Sequence, residues 1–307
     1  MKANKLLLID ANSLLHRAYH AYPPLSTPKG EIVGAVYGFT MMLLGAIEKI
    51  NPSHVIVAWD VGKRTFRHDK FSEYKAGRAK TDQELIDQIG RTKEVVEVLN
   101  IPQFGIENFE ADDLIGTLSE QGKKTADQVI ILTGDRDSFQ LVDKEKIVVH
   151  MPSGGGKFSK DRGVSIMDET AIKMKYGITP EQVVDWKGLV GDQSDNIPGI
   201  KGIGEVTAKK ILDQQPTIDK IYDHLEEIEV SPRIRELLRN GKERAFMSKE
   251  LATINREAPI KLDWEACRLA DYDQTKAKSL FEELQFKSVI NKLPKDTWEE
   301  DLEEVFK

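Results

Sequence analysis

The chain runs to 307 residues with a formal net charge of −7, and its 40% hydrophobic and 31% charged content excludes a disordered polymer. That length can bury a real core and fits one large domain plus a smaller one. The longest apolar runs, such as VYGFTMMLLGAI at 36–47, are too short and interrupted to span a bilayer, and a single cysteine, Cys267, excludes an internal disulfide framework and fits a reducing cytoplasm.

At the N-terminus, MKANKLLLIDANS has a basic start, but an aspartate ends its apolar run and no small-residue cleavage site follows, so it reads as a first strand and not a signal peptide. After strand 5–10 come a helical pattern around 12–20 and apolar residues at helical spacing over 35–50. Strand 54–60, a helical stretch at 82–99 and strand-like runs at 128–133 and 146–150 follow. This alternation predicts an α/β domain with a mainly parallel central sheet and helices on both faces. From about 170 onward the pattern turns helical. MDETAIKMKYG closes at Gly177, and TPEQVVDWKGLVG opens on a Thr cap with Pro at the first helical position and ends at Gly191. Further helical patterns cover 205–214, 217–227, 232–240 and 242–254, which divides the chain into 1–170, 171–290 and an acidic tail, 291–307.

Three strands run straight into an aspartate: KLLLID at Asp10, HVIVAWD at Asp60 and QVIILTGD at Asp135. In open parallel sheets ligands bind outside the carboxyl ends of strands, where these three fall. FEADD adds Glu110, Asp112 and Asp113 at the start of a helix, TGDRDSFQL adds Asp137, and GDQSDN adds Asp192 and Asp195. Acids in a first helical turn complement the helix dipole, but three in four residues exceed what a cap needs. Like charges gathered together repel, so nine converging carboxylates call for cations, and a pair of divalent metals is the simplest answer.

Directly after Asp60, VGKRTFRHDKFSEYKAGRAK (61–80) holds seven Lys or Arg against two acids, with Phe66, Phe71 and Tyr74 interleaved. Such a run is ordinarily a solvated loop. Aromatics among cations suit single-stranded nucleic acid instead, and this placement nominates Lys63, Arg64 and Arg67 as DNA contacts. DNIPGIKGIGEVTAKKIL (195–212) sets Gly199, Gly202 and Gly204 in a tight turn before a helix, with Lys201, Lys209 and Lys210 adding charge. This is a helix-hairpin-helix pattern, which grips duplex backbone without reading sequence. SGGGKFSKDRG (153–163) imitates a phosphate loop, but Phe158 stands where Ser or Thr should follow the lysine. The acidic net charge is compatible with a nucleic-acid partner. The nine acids account for −9 and the tail at 296–307 for −5, so the remainder carries +7.

LLLIDANSLLHRAYHA, VAWDVGKRTFRHDKFSEYKAGR, FEADDLIGTL, LTGDRDSFQL and LVGDQSDNIPGIKGIGEVTAKKIL, in this order, resemble one family over residues 4–290. The family is the 5′ nucleases, which comprise flap endonucleases and the 5′–3′ exonuclease domain of bacterial DNA polymerase I. The resemblance implies a PIN-like nuclease domain with a helical arch around 65–95, followed by the helix-hairpin-helix domain. It implies two Mg²⁺ ions, for which Mn²⁺ can substitute, and a potassium ion at the hairpin. All nine family carboxylates have counterparts. Glu110, Asp112, Asp135 and Asp137 match the tighter site, and Asp192 and Asp195, with Asp10, Asp60 and Asp113, the second. Tyr74, Lys75 and Arg78 match the YKxxR motif of the arch. Tyr74 would stack on a base while Lys75 and Arg78 touch the scissile phosphate, and Arg136 and Lys187 become further phosphate contacts. The implied function is structure-specific hydrolysis of DNA at a 5′ flap or 5′ end, for replication and repair, by a cytoplasmic monomer without a membrane partner. WDVGKRTFRHDKF favours a stand-alone enzyme over a domain joined to, or acting with, DNA polymerase I. Two alternatives are a non-catalytic DNA-junction binder of the same fold and a phosphatase with Asp10 as nucleophile. The second expects DxD after the first strand, where Asn12 stands.

Overall fold

β1 (Lys5–Asp10) alternates its apolar residues between two faces, and this alternation builds two cores. Leu7 and Ile9 enter one cluster, and Leu6 and Leu8 enter the other. The computed structural model describes residues 3–62, 64–152, 163–269 and 272–293. Lys63, the glycine-rich loop at 153–162 and most of the acidic tail therefore lie outside the described residues.

The first half sets α1 (Ala11–Ala21), α2 (Gly34–Ile50), β2 (His54–Ala58), α3 (Phe66–Lys70), α4 (Gln83–Val98), β3 (Gln103–Phe104) and α5 (Ala111–Gly122). β4 (Gln128–Leu132), β5 (Ile147–Pro152) and β6 (Val164–Met167) complete a six-stranded sheet in the order β3-β2-β1-β4-β5-β6. All pairings are parallel except β5 with β6. The mainly parallel α/β sheet is as the alternation predicts; β3 and β6 carry too few residues to be read from pattern. The stretch expected to arch over 65–95 contributes one short helix, α3, and a run of turns to residue 77, whereas α4 packs Leu85, Val95 and Val96 into the core beneath α1 and α2.

The second half holds α6 (Glu169–Tyr176), α7 (Val183–Val190), α8 (Glu205–Gln214), α9 (Ile218–Asp223) and α10 (Pro232–Ala252). α7 to α10 close around their own core of Leu189, Ile200, Ile211, Ile221 and Leu238. Two helical patterns expected at 232–240 and 242–254 form one 21-residue helix. Gly241 reads as a break because glycine weakens a helix by about 1 kcal/mol, but a Cβ there would lie 2.8 Å from Cγ2 of Ile200. Packing needs the glycine and keeps the helix whole.

After α10 the chain returns to the first lobe. Ile254, Ala258 and Cys267 join the core under α5, and α11 (Gln274–Glu283) and α12 (Lys287–Ile290) bring Phe281, Leu284, Phe286 and Val289 to the opposite face. No helix among the described residues is long and apolar enough to cross a membrane.

Candidate active site

The carboxyl ends of β1, β2 and β4 open into a cleft of about 1040 Å³. Asp10, Asp60, Glu110, Asp112, Asp135, Asp137 and Asp192 line it together, with Lys75, Arg78, Arg136, Lys187 and Lys209. Backbone geometry delivers each acid. Asp10 ends β1 and caps α1, accepting from Ser13 N at 3.0 Å and from Thr133 Oγ1 at 2.7 Å. Asp60 follows β2 and accepts from Ala111 N at 2.7 Å, while its own N–H donates to Asn12 Oδ1. Asp135 accepts from Asp137 N at 2.9 Å. Glu110 and Asp112 sit at the start of α5. Ser13, His16 and Thr133 were not singled out in the sequence; the first two stand in the motif that carries Asp10 and Thr133 in the one that carries Asp135, which is the signal that could have found them.

Protein cations clamp the rim. Lys75 Nζ lies 2.9 Å from Glu110 Oε2 and 3.8 Å from Asp195 Oδ2, and Arg78 Nη2 donates to Asp195 Oδ1 at 2.6 Å. Opposite them, Lys187 is buried and donates to both Asp137 and Asp192, the latter at 2.5 Å. Lys187 is therefore an internal counter-ion here, where the resemblance implied a phosphate contact. The hairpin between α7 and α8 forms the turn that the glycines foretold. Gly199 adopts φ 57°, and a Cβ on it would fall 2.2 Å from Gly191 N. Lys201 and Lys210 are exposed beside it, Lys209 reaches the cleft, Arg136 lies over the Tyr176 ring, and Gly202 and Gly204 complete the turn.

Three further predicted roles differ from their surroundings. Asp113 is fully buried away from the cleft, and both its oxygens are taken: Oδ1 by Arg67 Nη2 and Asn255 N, Oδ2 by Arg67 Nη1 and Glu110 N. A carboxylate with four donors has no lone pair left for a metal. Arg67, expected to touch DNA, is 3% exposed and spends itself on that pair. Tyr74, expected to stack on a base, is also 3% exposed, its ring packed with Ile197 and Leu251 and its hydroxyl donating to Asp195 at 3.0 Å. Arg64 is exposed and pairs with Asp69.

Burial pushes Asp10 up to about 7, with Asp60 adding repulsion. Burial, then repulsion from Asp135 and Asp10, raises Asp112 well above the carboxylate range. Burial likewise carries Asp137 to about 7 despite Lys187, whereas Asp192 is brought to about 2, because Lys187 and two donors from Ser194 outweigh its burial. Asp112 Oδ1 is buried with no hydrogen-bond partner among the described residues. An unpaired buried carboxylate oxygen amid raised acids fits a hard divalent cation, which takes oxygen ligands. Among the described residues no three acids yet close on one point at ligand spacing.

Comparison with known proteins places this geometry. A family described as 5′–3′ exonuclease, N-terminal resolvase-like domain, matches residues 5–177, and one described as 5′–3′ exonuclease, C-terminal SAM fold, matches 178–275. DNA polymerase I of Bacillus caldotenax is 41% identical over 297 residues, covering 97% of this chain and 33% of the polymerase. That of Chloroflexus aurantiacus is 43% identical over 296 residues, covering 94% and 31%. The chain thus spans about a third of the length of the curated relatives it matches. Among solved structures, a bacteriophage T5 flap endonuclease in complex with DNA and metal ions superposes with a TM-score of 0.68 at 19% identity, covering 92% of this chain and 100% of that one. The catalytic core of Rad2 in complex with DNA substrate gives 0.60 at 15%, covering 96% and 93%. These two likenesses show the fold.

Proposed function

The chain belongs to the 5′–3′ exonuclease family, and we propose that it is a structure-specific 5′ nuclease. It would act as a flap endonuclease and 5′–3′ exonuclease on branched DNA in replication and repair. The observation that carries this reading is the Asp112 oxygen, unpaired among the described residues, inside a cleft lined by eight acids, the seven named above and Glu205. The set that would hold two Mg²⁺ ions, or Mn²⁺, is Asp10, Asp60, Glu110, Asp112, Asp135, Asp137, Asp192 and Asp195, without Asp113. When bound, such a pair supplies a water of lowered pKa and charge stabilisation at the leaving oxygen.

The chain's own residues do the rest. Thr133 and Ser13 hold the two Asp10 oxygens in fixed directions. Arg78 is half exposed at the rim and can turn from Asp195 to a phosphate, and Lys75 can do the same from Glu110. Both remain our candidates for the scissile phosphate. Arg136 and Lys209 line the same cleft as backbone contacts, and Lys201 and Lys210 on the hairpin would track duplex phosphate, with potassium as a further ligand of that turn. We place the chemistry in 1–170 and the duplex grip in 171–290, with α11 and α12 lent back to the first lobe, in a cytoplasmic monomer.

Incubation of a labelled 5′-flap duplex with the protein and Mg²⁺ should release the flap with 5′-phosphate ends, and Asp112→Ala should stop cleavage while DNA binding persists. Intact flap after long incubation with wild type, bound or not, would leave only the junction-binding alternative.

A further inference from the structure

Two charged residues that look functional in the sequence face each other in the interior, 46 positions apart. Arg67 Nη1 and Nη2 donate to the two oxygens of Asp113, both at 2.8 Å, while Nε donates to Leu251 O at 3.0 Å and Nη2 to Thr253 O at 2.9 Å. The remaining direction of Nη1 faces Glu110 Oε2 at 3.6 Å. One guanidinium thus joins the end of α10 to the first turn of α5, next to Asp112. α10 also reaches the hairpin, because Gly199 N donates to Ser248 Oγ at 3.0 Å.

We propose that Arg67 and Asp113 are a positioning pair, which sets the carboxylates of Glu110 and Asp112 against the helical lobe that holds the duplex. This rests on the nuclease reading above. A buried ion pair is poor at stabilising a fold, since an apolar pair of similar volume commonly does as well or better. What a bidentate fork does supply is a fixed angle as well as a fixed distance. Asp113 is the N3 residue of α5 and holds the N–H of its N-cap, Glu110, so the angle of the fork is the angle of the first turn. Neither residue touches substrate; each acts through its neighbours.

The test compares wild type with the double variant Arg67→Met/Asp113→Leu and with Arg67→Lys, which keeps the charge and loses the fork. Measurements are melting temperature, flap-DNA Kd, the number and affinity of bound Mn²⁺ ions by electron paramagnetic resonance, single-turnover rate, and the position of the cut. We expect near wild-type Kd and Mn²⁺ count, and a lowered melting temperature because the backbone groups of Leu251, Thr253, Glu110 and Asn255 lose their partners. The rate should fall by about a hundredfold in the double variant, the scale of misplacing reacting groups by about 1 Å, and the cut should spread to neighbouring phosphates. Arg67→Lys should show the same split to a lesser degree and serves alone if the double variant does not fold. Wild-type rate and a single cut site in the variants would make the pair merely structural. Loss of a bound ion in a variant that lacks Asp113 would make that residue a ligand after all. If wild type itself cuts no flap, the nuclease reading falls first and takes this one with it.

Discussion

The acids at the sheet ends and those at the rim solve the same electrostatic problem differently. Glu110 and Asp195 are held by Lys75 and Arg78, and Asp137 and Asp192 by Lys187, so the protein itself brings their counter-charge. Among the described residues, Asp10 has only hydrogen-bond donors and Asp112 Oδ1 has nothing, and burial raises both strongly; Asp137 is raised by burial as well, but with Lys187 pulling against it. The difference marks which positions depend on an external cation and which can trade a lysine for one.

Substitution at Asp112 should break this contrast most sharply. Asp112→Asn should cut flap cleavage by about a thousandfold or more, the scale of several kcal/mol of lost charge stabilisation. In the metal-free protein it should raise the melting temperature, because one repelling charge is gone. A fall in both would deny that Asp112 is a strained, uncompensated acid.

Lys187→Met should do the reverse in chelator. It leaves Asp137 and Asp192 buried without their cation, a loss of about 3 kcal/mol in denaturant titration by the rule for broken buried pairs, and added Mg²⁺ should recover much of it. An unaffected midpoint would show that water, not Lys187, neutralises the two acids.

pH separates the groups next. The folded-state pKa of Asp10 is raised to about 7 from 3.8, so the folded chain holds that proton more tightly than the unfolded one. Its contribution is fully present below about pH 4 and lost as pH rises through about 7. Asp192, lowered to about 2, contributes above 3.8 and loses that only near pH 2. Melting of the metal-free protein should therefore fall between pH 5 and 8, and divalent metal should flatten the profile. A flat profile without metal contradicts the raised value.

Smallest is the outer face of the hairpin, where Lys201 is exposed and does not line the cleft. Lys201→Ala should weaken flap-DNA binding a few-fold and reduce the salt slope by about one, without changing the rate of bound substrate. A change in rate instead would place Lys201 nearer the chemistry than its exposure suggests.

Much of this arrangement was legible from sequence, for a physical reason. β1, β2 and β4 are buried on both faces, so their residues form continuous apolar runs, and the first acid after each run marks a strand's end. The same holds for the hairpin, where positive φ demands glycine. The interior side-chain partners of Arg67, Asp113 and Tyr74 were not legible because a charge or hydroxyl in a polar motif looks solvent-facing, and those partners lie from 36 to 121 positions away. Lys187 likewise sits in helical spacing that gives no sign of two acids converging on it. β6 is four residues at the sheet edge, and α11 and α12 show amphipathic pattern but not which core they serve.

That return of α11 and α12 has a consequence for synthesis. The outer side of the helical layer over the sheet, built by α2 and α4, stays open until Phe281 and Phe286 have left the ribosome. A nascent chain stopped near residue 177, where the first family match ends, carries all the sheet's strands and an uncovered apolar face, the state in which chaperones find their clients. Proteolytic trimming to that point should therefore yield an insoluble fragment, not a miniature enzyme.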